Sequence, residues 1–332
     1  MGADPVLLDD QNLPCTRPLL PFCPVCEDFI PCEKACLKNN GWSYYRCQKC
    51  GLIMLHPLPD EAVLRSFYND EYKVDFKHYV KRVRRASRVA LKDLGERFPN
   101  RGSLLEIGCS YGGFLAEARH EGWHVTGVEL SSTAAAYARE HHQLRVFSGD
   151  LRAAFSQLER RYDAIVLFHV IEHLPEPTQF LLECRKLLQP KGLLVLKTPN
   201  ASSLIAKVAG SFWQWVSPPA HLFLYCPKTI GSLLQKCGYE PAVFRSAQGD
   251  ANNNFFAALS SVAKRVVFRD RHQALPALRR SLPVRVTEVI CELGYLPCRM
   301  LLDPWLDRKL RQPELYVLAV NQAEQKMDTS AQ

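Results

Sequence analysis

The stretch SLLEIGCSYGGFLAEA, Ser103 to Ala118, runs from a short apolar segment through Gly108, Gly112 and Gly113 into an alanine-containing segment with helical spacing. A strand that turns into a helix through residues this small lets backbone N–H groups and a helix N-terminus approach a ligand closely. It predicts a binding site at the top of a strand.

The segments that follow extend the same pattern. From Gly102 the chain alternates LLEIG, FLAEARHEG, WHVTGVEL, STAAAYAREHH, LRVFSGD, a short helix, YDAIVLFHV, TQFLLECRKLLQ and KGLLVLKTP. Continuous apolar strands alternating with helices imply a parallel sheet covered on both faces, so the fold class is doubly wound α/β. A helix PKTIGSLLQKCG and a strand EPAVFRSA follow, then a helical region over about 252–312, and ELYVLAVN (Glu314 to Asn321) has the β-branched and aromatic content of a last strand.

Two ligands compete for the glycine turn. A dinucleotide fingerprint requires G-x-G-x-x-G, whereas this chain reads Glu106-Ile107-Gly108-Cys109-Ser110-Tyr111-Gly112-Gly113. An acid two residues before the first glycine resembles the class I S-adenosylmethionine (SAM) motif, an acid followed by G-x-G-x-G, with Ser110 in place of the middle glycine. A carboxylate there suits an ammonium and a sulfonium better than phosphates, which it would repel.

Later segments carry the resemblance further. Glu129 ends the second apolar strand and Asp150 ends LRVFSGD, both at the strand edge where open α/β sheets bind ligands. YDAIVLFHVIEHLPEP (Tyr162 to Pro177) and LLQPKGLLVLKTPN (Leu187 to Asn200) resemble the ubiquinone-type O-methyltransferases and the small-molecule methyltransferases similar to them. The resemblance covers about residues 103–249 and, more weakly, 314–321. It implies a Rossmann-like seven-stranded sheet and a SAM site formed by Glu106, Gly108, Ser110, Gly112, Glu129, Asp150 and Phe168. Within it, Glu129 would hold the ribose hydroxyls and Asp150 the adenine amino group.

Methyl transfer is an in-line displacement on an activated sulfonium, so positioning supplies most of the rate. A hydroxyl acceptor also needs a base, and histidine is the natural candidate at neutral pH. His169, His173 and His221 stand at the expected edge, although each could equally be a structural residue bonded to backbone. The resemblance places Glu172 and His173 beside the methyl-donor site, where some ubiquinone-type members use a divalent cation. The fifth strand ends in Thr198-Pro199-Asn200, without the Asn/Asp-Pro-Pro-aromatic motif of many nucleic-acid amino-methyltransferases. Phe212-Trp213-Gln214-Trp215 falls where the ubiquinone-type enzymes carry a substrate-covering, membrane-touching segment; core packing accounts for it as well.

Of thirteen cysteines, seven lie in the first fifty residues. Cys23, Cys26, Cys47 and Cys50 have the paired C-x2-C spacing of a zinc ribbon, a closed structural Zn2+ site in a segment too short to fold on its own core. Cys32 and Cys36 are alternative ligands. The expected organisation is a zinc ribbon-like module at 20–58, a helical connector at 60–100, the SAM-binding domain at 101–249, a helical insertion or cap at 250–313, a last strand at 314–322 and a disordered tail at 323–332.

The formal charge of +8 is modest for 332 residues and comes partly from KRVRR (Lys81 to Arg85) and AKRVVFRDR (Ala263 to Arg271), read as solvated helix faces. No apolar run approaches the roughly 18–20 residues of a spanning helix, and MGADPVLLDDQN lacks the features of a signal peptide, which predicts a cytoplasmic protein. The expected function is O-methylation of a small molecule such as a sugar, a phenolic or a lipid-linked intermediate, with peripheral membrane contact as a further partner and nucleic acid disfavoured. The alternatives are an RNA methyltransferase delivered by the ribbon and a non-catalytic binding protein.

Overall fold

The computed structural model describes residues 22–32, 34–67, 76–158, 161–247 and 313–322. The insertion expected over 250–313, apart from Pro313, the expected tail, residues 20–21 of the expected module, the side chains of KRVRR and all of AKRVVFRDR lie outside the described residues.

In chain order the elements are β1 (Leu37–Asn39), β2 (Trp42–Arg46), β3 (Ile53–His56), α1 (Glu61–Ser66), α2 (Phe76–Arg97), β4 (Ser103–Ile107), α3 (Gly113–His120), β5 (His124–Glu129), α4 (Ser132–His142), β6 (Val146–Ser148), α5 (Leu151–Ala154), β7 (Tyr162–Phe168), α6 (Pro177–Leu187), β8 (Leu188–Pro199), α7 (Leu204–Ala209), β9 (Phe223–Leu224), α8 (Pro227–Lys236), β10 (Tyr239–Ala247) and β11 (Glu314–Asn321). The large sheet has seven strands in the order β10-β11-β8-β7-β4-β5-β6. Strands β4 to β8 pair in parallel, whereas β11 runs antiparallel to both β8 and β10.

The unbroken apolar runs explain this sheet. Because side chains alternate across a strand, Leu105, Ile107, Ile165, Leu167, Leu194 and Leu196 enter one core, while Leu104, Ala164, Val166, Leu193 and Val195 enter the other. Helices α6 and α8 cover the first face through Leu181, Cys184, Ile230 and Leu233; α2, α3 and α4 cover the second through Leu94, Phe114, Leu115 and Ala135. Local signals start the helices: Ser131 and Ser203 accept backbone N–H groups as N-caps of α4 and α7, and Pro177 and Pro227 occupy first positions of α6 and α8.

The chain leaves β4 towards β5 and β6, then returns to β7 on the other side of β4. That reversal opens a crevice at the carboxyl ends of β4 and β7. Strands β1, β2, β3 and β9 form a second, antiparallel sheet whose β2–β3 turn carries Cys47 and Cys50, while Cys23 and Cys26 lie in the turn closed by the Phe22–Phe29 bridge ahead of β1. Among the described residues, no helix is long and apolar enough to cross a membrane.

Candidate functional site

The glycine turn lies on the crevice. Gly108 has φ of +76°, and a Cβ there would stand 2.6 Å from Val170 Cγ2; Gly112 has φ of +78°, and a Cβ there would stand 2.6 Å from Leu144 Cδ1 and 2.9 Å from Ala138 Cβ. Both conformation and space therefore require glycine. Ser110 also lies in the left-handed region, with φ of +49°.

Three acids stand around this turn. Glu106 is 4% exposed, and its Oε2 has no hydrogen-bond partner. Burial, and then the nearby charge of Glu129, hold its carboxyl well above the usual carboxylate range. Glu129 Oε2 accepts the Ser110 N–H at 2.7 Å and Oε1 the Ser131 N–H at 2.8 Å. Burial raises its proton affinity, and the backbone donors oppose that rise. Asp150 is more exposed and accepts the Ala153 N–H at 2.7 Å as the N-cap of α5. A cap accounts for Asp150 without a ligand, whereas the partnerless oxygen of Glu106 has no such account. Phe168, at the end of β7, packs edge-on against Phe114 with ring centroids 5.2 Å apart.

A second cluster lies across β7. His169, with φ of +56°, brings Nδ1 to 3.1 Å from Glu172 Oε1 and Nε2 to 3.6 Å from Glu314 Oε1. Glu172 is fully buried, and its Oε2 accepts the Thr198 hydroxyl at 3.0 Å. Burial raises the Glu172 pKa against the pull of His173, the backbone, Thr198 and Lys197. Lys197 pairs with Glu314 Oε2. His173 Nδ1 lies 2.9 Å from the Ala220 carbonyl and His221 Nδ1 lies 2.8 Å from that of Trp215, so each Nδ1 donates its proton. Burial lowers the pKa of His173 and pushes that of His221 well below the ordinary value. One ligand atom from each of Glu172, His173 and His221 lies within 4.8 Å of the others, a spacing compatible with a cation.

The aromatic stretch divides. Trp213 is buried in the core, and Trp215 stacks on both His169 (centroids 5.1 Å apart) and His221 (5.3 Å). Glu314 and Lys197 were not singled out from sequence. The β11–β8 register sets Glu314 opposite Pro199, bringing it to the carboxyl edge from the far end of the chain. Its only sequence trace is an acid opening an otherwise apolar strand.

At the edge of the second sheet the Sγ atoms of Cys23, Cys26, Cys47 and Cys50 lie within 4.8 Å of one another, with Cys23–Cys50 at 3.5 Å and Cys26–Cys47 at 3.4 Å. Tetrahedral zinc with bonds of about 2.3 Å needs sulfurs roughly 3.8 Å apart, so the four thiols fit that ion. Burial opposes ionisation of Cys47, but hydrogen bonds from Cys50, Cys26 and Lys49 outweigh it and bring the pKa to about 7. Burial lifts Cys23 to about 11. A cation would relieve this conflict between neighbouring thiolates. Cys32 and Cys36 stand outside the cluster, with their thiols on the Ile30 and Tyr44 carbonyls.

A methyltransferase-domain family model matches residues 77–242, half of the chain. A ubiquinone biosynthesis O-methyltransferase of Cereibacter sphaeroides is 30% identical over 162 residues, 45% of this chain and 65% of that protein. One of Maricaulis maris is 32% identical over 147 residues, 41% and 58% of the two chains. The chain thus matches less than two thirds of the length of these relatives. A solved phosphoethanolamine N-methyltransferase 2 of Haemonchus contortus, in complex with SAM, is 17% identical over 82% of this chain and 63% of that one, with a TM-score of 0.47.

Proposed function

The chain belongs to the methyltransferase-domain family, and from that premise we propose that it is a SAM-dependent methyltransferase that O-methylates a small molecule. The observation that carries this proposal is the partnerless, buried Glu106 oxygen beside Glu129, behind a turn that admits only glycine at Gly108 and Gly112. A ligand bearing fixed positive charge would hold both carboxylates ionised and answer their desolvation. A phosphate-bearing dinucleotide would worsen it.

In this assignment SAM supplies an electrophilic methyl group. Glu129 takes the ribose hydroxyls, Glu106 faces the cationic portion, Gly108, Ser110 and Gly112 provide a thin floor, Asp150 and Phe168 flank the base, and the acceptor enters on the histidine side. His173 and His221 suit the role of base because burial keeps them unprotonated at neutral pH. His169 places a carboxylate oxygen 3.1 Å from Nδ1 and 3.6 Å from Nε2, which supports an orienting role. The likeness to ubiquinone biosynthesis O-methyltransferases supports a hydroxyl acceptor; among the described residues, no SAM-site element calls for a nucleic acid. The four-cysteine cluster would hold one structural zinc ion with its shell closed.

Calorimetry with S-adenosylhomocysteine (SAH) tests the donor half. Saturable binding that Glu106→Ala abolishes is expected. Equal binding by that variant, or binding of NADH in place of SAH, would overturn the assignment.

A further inference from the structure

The segment bearing Trp215 and His221 is held on one side by the cysteine module and on the other by the Glu172–His173 turn, where His173 Nδ1 donates to the Ala220 carbonyl. The Tyr44 hydroxyl, on fully buried Tyr44 of β2, donates to the His221 carbonyl at 2.8 Å. The Leu55 N–H donates to the Leu222 carbonyl at 2.8 Å, and β9 pairs with β3 through Ile53↔Leu224 and Met54↔Phe223. The Lys38 N–H reaches Ser211 Oγ at 3.0 Å, and the Asn39 side-chain amide reaches the Val216 carbonyl. From the other side the Leu222 N–H donates to the Glu172 carbonyl at 2.8 Å, so the strap joins the histidine cluster directly. Cys23, Cys47 and Leu55 share one continuous core with Phe223, Tyr225 and Leu194.

Among the described residues, the acids of the glycine turn have no such tie. Glu106 lies on β4, and Glu129 ends β5 and accepts backbone N–H groups of the glycine turn and its own strand end, at Ser110 and Ser131. We propose that the cysteine module is the supporting wall of the acceptor half of the site, and that Tyr44 positions His221 within it. Metal ligation by the four thiolates would then set the placement of Trp215 and His221 while leaving the donor half unchanged. This inference rests on the division into donor and acceptor halves proposed above.

The mechanical logic is short. A two-residue strand such as β9 has too few hydrogen bonds to hold its register alone, so its position follows the sheet to which it is added. That sheet is short and takes much of its stability from whatever joins its cysteine turns. The His221 ring hangs on the same segment, with Nδ1 on Trp215 O and its backbone carbonyl on Tyr44, so loss of the Tyr44 hydroxyl frees the residue from one side.

The test uses the full chain with 13C-labelled histidine, the His173 and His221 ring signals being assigned with His→Gln variants. Tyr44→Phe removes one hydroxyl. Thr178→Val removes another contact with the module, Thr178 Oγ1 to the Pro24 carbonyl at 3.2 Å, which does not touch the strap. Tyr44→Phe should shift the His221 signal and its titration, Thr178→Val should leave both in place, and SAH affinity should stay within about twofold in each. Stripping the metal with a mercurial reagent should reproduce the Tyr44→Phe shift, reversed by thiol and added zinc. The wall is overturned if His221 is unmoved by Tyr44→Phe, if both variants move it equally, or if SAH affinity falls tenfold with Tyr44→Phe. Should the stripped protein unfold, the two variants still decide. If the unmodified protein fails to bind SAH, the donor assignment falls, while the comparison of the two His221 signals remains decisive for the wall.

Discussion

Glu129 Oε2 receives the backbone N–H of Ser110 across the crevice at 2.7 Å, which ties the end of β5 to the glycine turn after β4. The carboxylate is thereby aimed before any ligand arrives. Hydrogen bonds to charged groups contribute about 1.5–3 kcal/mol. Glu129→Ala should therefore weaken SAH binding about 10- to 100-fold by calorimetry; an unchanged affinity would remove Glu129 from the ribose role.

Glu106 makes a prediction of opposite sign for the free protein. Its folded-state pKa lies above the ordinary value of 4.5, so the folded state binds the proton more tightly and stability declines as pH rises above the unfolded pKa. Glu106→Gln should raise the melting temperature of the unliganded protein at pH 8 and leave it nearly unchanged at pH 4. It should also reduce the thermal shift produced by SAM. A variant less stable than the parent at pH 8 would show that the buried carboxyl is satisfied.

For His221 the folded pKa lies below the ordinary 6.5. The folded state refuses a proton that the unfolded chain accepts, so this contribution is complete above about pH 6.5 and is lost as the pH falls below it. The melting temperature should drop between pH 7 and pH 5, and the drop should be shallower in His221→Gln. Parallel curves for parent and variant would contradict a neutral, buried imidazole.

The four-cysteine cluster should retain about one zinc ion per chain through purification and dialysis. Cys47→Ser, which removes the thiol whose pKa is brought to about 7, should lower the metal content measured by atomic emission together with the melting temperature. Full occupancy in Cys47→Ser would mean that another residue completes the site.

Much of the fold was legible because parallel strands write themselves as unbroken apolar runs. LLEI, IVLF and LLVLK are buried on both faces, and Gly108 and Gly112 mark positions whose positive φ excludes other residues. The places of Glu106 within β4 and Glu129 at the end of β5 were legible too, since each sits at a fixed offset from a strand end. The paired cysteines announced themselves by spacing alone.

What the tertiary structure decided is everything set by pairing between distant segments. Glu314 reaches His169 only because β11 runs antiparallel to β8 in one register. Tyr44 reaches His221 only because β9 joins the cysteine sheet. The three histidines look alike as letters; the carboxylates and carbonyls around their rings distinguish them, and those partners are supplied by the fold. Local pattern determines where a strand ends and which residue stands there, because sterics and side-chain alternation act between neighbours in the chain. Which charge faces which ring depends on strand order and register, and these are selected by the packing of the whole core.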